Sequence, residues 1–381
     1  MVGLEDNVWS TIEDDGAEVW AEPAASFLQG FLPEETDIVW SPELFWWKLG
    51  DVNPAGRGYL SLAISDNQVI ATTSITPKRL WVDGRVIVGG EIGDTYTSEA
   101  FRRKGRPIDL YMDNKDPEAY VNKSVFGRLV MQTRRRAEKA GFKLIYGTPN
   151  QNSMPGYVSR LNFFHYNTIQ CHCYVRLRAA GLLNRKPRLR PITNIVSGID
   201  QLFSNTLGMG AKLAARGCTV DSHQPTESEI NGLWEKLKSS VHFSVLRDAA
   251  WFKYRYQDHP IATYEFVALY RGGRLNGLMV FRRFRDMAGN SVVNVADWLL
   301  ASNDKAGFAL LLTQGIAELS PGAETINIWI NKQDGLSSVL PKLCFVRRGE
   351  APIIFASNLD ALARYESGKA FEMSLGTSDN V

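Results

Sequence analysis

The stretch SEAFRRKGRP, from Ser98 to Pro107, places three cationic side chains, Arg102, Arg103 and Lys104, directly before Gly105. Over the whole chain the charges nearly cancel, because there are 43 Lys and Arg residues and 41 Asp and Glu residues, for a formal net charge of +2. No field of the whole molecule then draws the protein to nucleic acid or to an anionic membrane. The stretch therefore predicts an anion that is bound locally.

The segments on either side predict a strand before this loop and a helix after it. We expect a strand from Val86 to Thr97, and apolar residues at helical spacing favour an amphipathic helix from Ser124 to Ala140, ending at Gly141. Further strands are predicted over residues 59–65, 69–75 and 143–148. Where a glycine loop connects a strand to a following helix, backbone N–H groups and the helix dipole converge on one anion. The two common phosphate motifs, the nucleotide P-loop and the dinucleotide glycine fingerprint, are absent from the sequence.

The length and composition favour a two-domain globular protein. The chain has 381 residues, of which 44% are hydrophobic, and this exceeds the usual size of one core. Its four cysteines do not form a disulfide framework, its start is acidic, and no uncharged apolar run approaches the ~18 residues of a membrane helix, so we expect a cytoplasmic protein without a membrane anchor. Cys171-His172-Cys173 has no second ligand pair at zinc-finger spacing, so we interpret these residues as core and expect no metal.

The chain divides into two halves that repeat one plan. The tract from Arg176 to Pro191 carries six cationic residues and two prolines and is interpreted as a linker. An aromatic helix, a proline turn and two strands occur near residues 44–73 and again near residues 249–280. We therefore predict three segments, at residues 1–178, 179–225 and 226–381, of which the first and third are duplicated α/β domains.

Three stretches together resemble a known family. With the interruption from Arg106 to Lys123 removed, the loop and the helix start read RRKG-SVFGRL. This string resembles the pyrophosphate loop, R/Q-x-x-G-x-G/A, of the GNAT acyl-CoA N-acyltransferases. GGEIGDTYTSEAF, residues 89–101, is similar to the fourth strand of that family, and YGTPNQNSMPGYVSRLNF, residues 146–163, to its fifth strand and following helix. The similarity covers Trp40 to Val175 well and His242 to Arg348 in outline.

The resemblance implies an α/β fold with two GNAT-like domains in tandem, each a mixed, mostly antiparallel sheet flanked by helices. It also implies acyl-CoA as cosubstrate, acetyl-CoA or a short hydroxyacyl-CoA, with its pantetheine arm between the fourth and fifth strands and a backbone N–H near Tyr96 facing the thioester oxygen. The residues that it assigns to the cofactor are Thr95, Tyr96, Thr97, Arg102, Arg103, Lys104, Gly105, Ser124, Val125, Phe126, Gly127, Asn150 and Ser153.

Three residues are candidates for the chemistry. Asp94 and Glu91 are candidate bases for the amine, and their odd separation points them to opposite faces of a strand. Asp94 is favoured because it lies beside Gly93, where the strands are expected to separate, and Glu91 is the alternative. The competing interpretation is that Asp94 caps a turn or binds a cation. In many GNAT relatives, a tyrosine that acts as the general acid lies five residues before the phenylalanine that ends the helix after the fifth strand. Counting back from Phe163 gives Val158, with Tyr157 beside it, so Tyr157 is the candidate acid for the thiolate.

The second half is expected to recognise the acceptor. Its matching stretch, Ser302 to Lys305, lacks the R-x-x-G-x-G pattern, so it should not bind a second pyrophosphate. The candidate acceptor-binding residues are Trp47, His242, Arg247 and Arg255. The predicted acceptor is a small-molecule amine, the amino group of a dTDP- or UDP-linked amino-deoxy sugar for polysaccharide synthesis. Alternatives are an amino acid, a peptide or an antibiotic amine, and, from another class, a non-catalytic acyl-CoA-binding scaffold. A homo-oligomer is compatible with the sequence.

Overall fold

The strands of both halves join one mixed sheet. The computed structural model describes residues 9–34, 36–102, 120–121, 124–179, 183, 190–301, 303–319, 323–331, 334–356 and 371–378. Up to residue 178 the elements are β1 (Ser10–Asp15), α1 (Ala21–Gln29), α2 (Pro42–Leu49), β2 (Tyr59–Ser65), β3 (Gln68–Val82), β4 (Arg85–Thr97), α3 (Val125–Lys139), β5 (Ile145–Gly147) and β6 (Phe164–Leu177). They are followed by α4 (Arg190–Ala214), β7 (Cys218–Asp221), α5 (Glu227–Leu237), β8 (Phe243–Val245), α6 (Ala249–Phe252), β9 (Glu265–Arg271), β10 (Arg274–Arg285), β11 (Ser291–Leu300), α7 (Lys305–Leu319), β12 (Thr325–Asn331), β13 (Val346–Ala356) and β14 (Phe371–Glu372).

The order of the strands shows the duplicated plan. The main path of the sheet runs β1-β2-β3-β4-β5-β13-β6-β12-β11-β10-β9-β7, while β8 pairs with β3 and β14 with β8. In each half an antiparallel meander, β2-β3-β4 or β9-β10-β11, leads into one parallel pair, β4 with β5 and β11 with β12. A helix, α3 or α7, connects the two strands of that pair, as a parallel connection requires. The predicted fold class, two mixed α/β units in tandem, is confirmed.

The two halves exchange their last strands. β13, from the end of the second half, lies between β5 and β6, with Ile354 opposite Gly147. β6, from the end of the first half, pairs in turn with β12. Each half is therefore closed by a strand of the other half, and the pairing continues across the predicted boundary at residue 178.

Local sequence explains where α3 begins and ends. Ser124 accepts a hydrogen bond from the Gly127 amide at 3.1 Å, which is the usual N-cap. The apolar stripe buries Leu129, Val130, Thr133 and Ala137 against β2 and β3, while arginines lie on the outer face. Gly141 then turns the chain at φ +94°, a conformation that suits glycine. Both predicted ends of this helix are confirmed to within one residue.

The cysteine stretch of β6 lies among core residues. Cys171 is buried, and its thiol donates to Asn331 Oδ1 at 3.2 Å, while Cys173 is half-buried. Within the described residues, no group of three or more His, Cys, Asp or Glu side chains is arranged to hold a metal ion. None of the helices in the described part of the chain combines the length and the apolar character needed to span a membrane.

Candidate active site

The parallel pair of the first half separates soon after it begins. Within the described residues, β4 and β5 pair at Gly90 with Ile145 and at Glu91 with Tyr146, and β4 then continues to Thr97 while β5 ends. Gly147 stands where the strands diverge. A Cβ atom there would lie 2.8 Å from Ile92 Cγ2 and 3.0 Å from Ile92 O, so the close approach requires glycine. We call the opening beyond Glu91 and Tyr146 the first cleft.

A bulge in β4 shapes the edge of the first cleft. Ser74 of β3 faces Gly93 and Thr72 faces Tyr96, so Asp94 and Thr95 are both accommodated opposite Thr73. Asp94 has φ +50°, in the left-handed region that a non-glycine residue occupies only at a cost. The Thr72 hydroxyl donates to the Asp94 carbonyl oxygen at 2.7 Å and holds this conformation.

The Asp94 carboxylate forms a buried ion pair with a residue that sequence reasoning missed. Lys48 Nζ lies 2.9 and 2.8 Å from the two carboxylate oxygens, and the Ser74 hydroxyl donates to Oδ2 at 2.5 Å. Both charged side chains are only 3% exposed. The sequence signal was a lysine inside the otherwise apolar run FWWKL of α2. Asp94 thus binds a cation, as the competing interpretation expected, and its role as a base stays a prediction.

Tyr157 lies at the bulge, where the acid for a leaving thiolate is expected. Its hydroxyl donates to Thr95 Oγ1 at 3.0 Å, and that oxygen is 2.7 Å from Thr73 Oγ1. The ring is buried edge-to-face between Phe126 and Phe163. The turn from Gly156 to Arg160 is π-helical, which adds one residue per turn and explains why Tyr157 lies six residues before Phe163 and not five.

Burial also fixes the protonation state of this tyrosine. Desolvation raises the pKa of Tyr157 well above its ordinary value, and this outweighs the hydrogen bond with Thr95, which acts in the opposite direction. The hydroxyl is therefore protonated at neutral pH and able to donate a proton. This is the state that a general acid needs.

Glu91 faces a different neighbourhood. Its Oε2 lies 3.5 Å from Lys78 Nζ, with both side chains 2% exposed, and its Oε1 accepts a hydrogen bond from the Ser378 hydroxyl at 2.8 Å. Ser378 belongs to the C-terminal segment, and its hydroxyl is also 3.2 Å from Thr148 Oγ1 at the end of β5. Glu91 and Asp94 therefore contact separate groups, and the second half of the chain reaches the first cleft through its last described residues.

The structure describes only part of the segment that is predicted to bind the pyrophosphate. Ser124, Val125, Phe126 and Gly127 form the N-terminus of α3, whose first amides have no partner within the helix. Arg102 follows the end of β4, where its Nε donates to the Thr97 carbonyl at 2.6 Å and its guanidinium lies 4.6 Å from the Tyr96 ring centroid. Arg103, Lys104 and Gly105 lie outside the described residues.

An asparagine side chain stabilises the turn after β5. Asn150 Oδ1 accepts hydrogen bonds from the amides of Asn152 and Ser153, at 3.0 and 2.9 Å. The Ser153 hydroxyl donates to the same oxygen at 3.1 Å and does not cap the turn itself. The asparagine side chain reaches the amides two and three residues ahead, as Asn does in such turns. Contacts of Asn150 and Ser153 with the cofactor stay predictions.

Two predicted acceptor residues lie in other surroundings. Trp47 is buried, with its ring stacked 4.4 Å from that of Tyr254 and its Nε1 donating to the Tyr254 carbonyl, so it packs the two halves together. His242 is exposed beside Asp83, in the turn between β3 and β4. Asp83 precedes Asp94 by eleven residues along the hairpin, roughly 35 Å at the usual rise of a strand. His242 therefore lies far from Asp94.

Arg247 and Arg255 bind the protein's own C-terminal segment. Arg255 is fully buried and donates to the carbonyls of Gly376 and Ser378, at 2.9 and 3.3 Å. Arg247 lies 3.3 Å from the Asp297 carboxylate and donates to Glu372 at 3.4 Å. Both guanidinium groups are engaged within the protein, so acceptor phosphates would have to displace these contacts.

The C-terminal segment fills the cleft of the second half. Beyond Val295 and Ile328 the strands β11 and β12 also cease to pair, and we call this opening the second cleft. The Gly376 amide donates to the Ala296 carbonyl of β11 at 2.6 Å, and the Met373 amide to Asn331 Oδ1 of β12 at 3.4 Å. Residues 373–378 are buried there. The two strands that bound the second cleft are therefore bridged by the chain itself.

A carboxylate occupies the N-terminus of the second connecting helix. Asp304 Oδ1 accepts from the Gly307 amide of α7 at 2.9 Å, and Oδ2 lies 3.6 Å from Arg271 Nη2. A Cβ atom on Gly307 would lie 2.8 Å from that same Oδ2. A phosphate at this position would meet the Asp304 carboxylate. That this half binds no second pyrophosphate stays a prediction.

Comparisons with solved structures agree with this architecture. A Saccharomyces cerevisiae N-myristoyltransferase with bound myristoyl-CoA aligns at a TM-score of 0.58 and 12% identity, over 93% of this chain and 83% of its own. A tandem GNAT protein from the clavulanic acid biosynthesis pathway aligns at 0.54 and 11%, over 92% and 98%. This chain spans 62% of the length of a GCN5-related N-acetyltransferase from Anabaena variabilis, which aligns at 0.47 and 11% identity over 78% of this chain.

At the sequence level, no family model and no curated protein matches this chain. The similarity to these solved structures is therefore one of backbone arrangement. The chain has the GNAT fold, used twice in tandem.

Proposed function

We propose that this protein is an acyl-CoA-dependent N-acyltransferase that works with one acyl-CoA per chain, bound in the first cleft. The observation that carries the proposal is the Tyr157 hydroxyl, held at Thr95 on the edge of an open cleft between parallel strands. The yeast neighbour was solved with myristoyl-CoA, which supports an acyl-CoA as the ligand of this fold. The pyrophosphate would lie at the N-terminus of α3, with the pantetheine arm along β4.

The transfer is direct. The amine nitrogen attacks the thioester carbon, a C–N bond forms as the C–S bond breaks, and the thiolate takes its proton from Tyr157. The amine attacks in its neutral form and loses one proton to a base as the amide forms, and that proton returns to Tyr157 through solvent. The backbone near Tyr96 supplies the donor for the developing oxyanion. A buried, protonated tyrosine suits this step because bulk water does not compete with its hydroxyl as the proton donor to the thiolate.

Asp94 is our candidate for the base, with one condition that the ion pair imposes. Its oxygens are occupied by Lys48 and Ser74, so accepting a proton requires one of these contacts to be exchanged for the amine or a water. Glu91 is the alternative, and its partners are Lys78 and Ser378. The ion pair also supports the left-handed backbone of Asp94, so a purely positioning role competes with the base role.

A double-mutant cycle separates these two roles. Lys48→Met leaves a buried carboxylate without its partner, which should cost about 3–5 kcal/mol of stability and lower kcat about tenfold as the bulge relaxes. Lys48→Met with Asp94→Asn removes the unpaired charge and should recover most of the melting temperature. If Asp94 is the base, kcat of the double variant stays low. Recovery of kcat together with stability would contradict the base role and leave Asp94 as a positioning residue.

The binding stoichiometry tests the assignment of the two clefts. Because residues 373–378 bridge β11 and β12 and Asp304 caps α7, we expect calorimetric titration with acetyl-CoA to give one site per chain. Two sites of similar affinity would contradict the proposal. A chain truncated to one half should not be used for this test, since the exchanged strands β6 and β13 make the sheet of each half depend on a strand of the other.

The acceptor is proposed to be a nucleotide-linked amino-deoxy sugar, with amino acids, peptides and antibiotic amines as alternatives. The contacts among Thr148, Ser378 and Glu91 bring the second half of the chain to the end of β5, beside the first cleft. Release of free CoA from acetyl-CoA should be measured with dTDP- and UDP-linked amino sugars, amino acids and aminoglycosides. The highest kcat/KM should belong to the nucleotide sugars. CoA binding without amine-dependent release for any amine would instead favour the scaffold interpretation.

A further inference from the structure

The helix α4 presents an apolar stripe to solvent. Five large aliphatic side chains along one face are each 63–73% exposed: Ile195, Ile199, Leu202, Met209 and Leu213. We call them the α4 stripe. Monomeric proteins rarely expose a contiguous apolar patch of this extent, and such patches mark interaction sites. The stripe lies on a helix that connects the two halves and takes no part in the first cleft.

The opposite face of α4 accounts for its attachment to the protein. Leu207, Ala211 and Ala215 pack into the core that surrounds α7, and the Ser204 hydroxyl accepts a hydrogen bond from Arg176 at 3.0 Å. The helix is therefore held by one face only. The α4 stripe adds nothing to this attachment, so folding of the chain does not explain it.

The spacing of the stripe is that of a helix–helix seam. With Thr206 included, the positions are 195, 199, 202, 206, 209 and 213, so the intervals alternate between four and three residues. This is the a/d repeat of a coiled coil. Thr206 is exposed, and its hydroxyl is already bonded to the Leu202 carbonyl at 2.9 Å, so it can enter such a seam without losing a partner.

We infer that the α4 stripe is the interface of a homodimer, in which the α4 helices of two copies pack antiparallel about a twofold axis near Ser204. The intervals of 4, 3, 4, 3 and 4 residues are the same from either end of the helix. An antiparallel copy therefore places Ile195 against Leu213, Ile199 against Met209 and Leu202 against Thr206. A twofold interface must be self-complementary in this way.

The area and the character of the stripe favour a second copy over a membrane. Five aliphatic side chains at this exposure present on the order of 600 Å², compared with about 800 Å² per partner in a standard interface. Helices that lie on membranes carry Lys and Arg along the face opposite the apolar one. In α4 that opposite face is packed against the core around α7.

The oligomeric state in solution tests the inference. Sedimentation equilibrium of the full chain should give a dimer, and Leu202→Glu should weaken dimerisation at least 100-fold because it places two carboxylates at the seam. Lys212→Glu is the matched control, since it is exposed on the same helix about 100° away from the stripe, and should remain dimeric. Unchanged melting temperature and acetyl-CoA affinity in Leu202→Glu show that folding and the first cleft are intact.

Cysteine cross-linking tests the antiparallel arrangement. In a Cys344→Ser background, an equal mixture of Ile199→Cys and Met209→Cys chains should form mixed disulfides, whereas either variant alone should not. A disulfide of Ile199→Cys with itself would indicate a parallel pair and overturn the antiparallel arrangement. A monomeric wild-type chain, or a Leu202→Glu chain that stays dimeric, would overturn the interface. Stripe-dependent sedimentation of monomers with phosphatidylglycerol vesicles would assign the stripe to a membrane surface instead.

Discussion

Replacing Tyr157 by phenylalanine is expected to lower kcat by about 1,000-fold while acyl-CoA affinity stays nearly constant. The ring packs between Phe126 and Phe163 and remains in place, so the substitution removes the hydroxyl and little else. Loss of a general acid typically costs about 10²–10⁴ in rate. Steady-state kinetics with calorimetric acyl-CoA binding measures both quantities. Tyr59→Phe, which removes a hydroxyl from a half-buried tyrosine of β2, is the control and should be fully active.

The pH dependence provides a second measurement of the same role. Burial raises the pKa of Tyr157, so the protonated, active form persists above the pH at which an ordinary tyrosine ionises, about 10. Tyr157 should therefore stay protonated, and its ionisation should cause no decline in kcat, as the pH rises from 7 to 10. A decline in this range that disappears in Tyr157→Phe would show that Tyr157 ionises there and would contradict the raised pKa.

Introducing a negative charge at the N-terminus of α3 is expected to abolish acyl-CoA binding. Gly127 lies in the first turn, and a Cβ atom there would come within 2.9 Å of the Tyr120 ring, so any side chain disturbs the packing. Gly127→Gln is therefore the matched control for Gly127→Glu, because the two differ in charge and hardly in size. Two unit charges about 4 Å apart repel by about 4 kcal/mol at an effective dielectric constant of 20. We expect acetyl-CoA to bind Gly127→Glu at least about 100-fold more weakly than Gly127→Gln.

Stability measurements make this comparison decisive. An acidic residue in the first turn favours the helix dipole, so Gly127→Glu should be at least as stable as Gly127→Gln. Weaker binding by the more stable variant can then be assigned to repulsion of a bound anion. Equal acetyl-CoA affinities in the two variants would place the pyrophosphate elsewhere. Gly105 would be the second position for such a charge, although it lies outside the described residues.

Local sequence was sufficient to predict the elements around the first cleft. The strand from Tyr59 to Ser65 was predicted with both its bounds, and α3 was predicted from Ser124 to Ala140, with Gly141 after it. Capping, helical periodicity and a glycine with positive φ act over a few residues, so a single segment contains all the information. The order of these elements also led to the GNAT fold, which the strand pairing confirms.

Some site residues were located correctly because they are adjacent to such elements. Tyr157 was named as the neighbour of the expected position, and the π-helical turn supplies the residue that separates them. Asp94 was placed at the divergence of the strands, where the structure has a bulge. Its partner Lys48 is 46 residues away and was not predicted, since the ion pair depends on how α2 docks on the sheet.

The sequence by itself determined α3, the strands around the first cleft, the basic glycine motif and the duplicated plan, because each depends on residues that are close in the chain. Only the tertiary structure decided that β13 lies between β5 and β6, that residues 373–378 fill the second cleft, and that Arg255 contacts these residues while Arg247 contacts Glu372 directly before them. These contacts join groups that are far apart in the chain, by 42 residues for Met373 and Asn331 and by 121 for Arg255 and Gly376. They form only when folding brings distant segments of the chain together, and no local sequence pattern predicts which residues become partners.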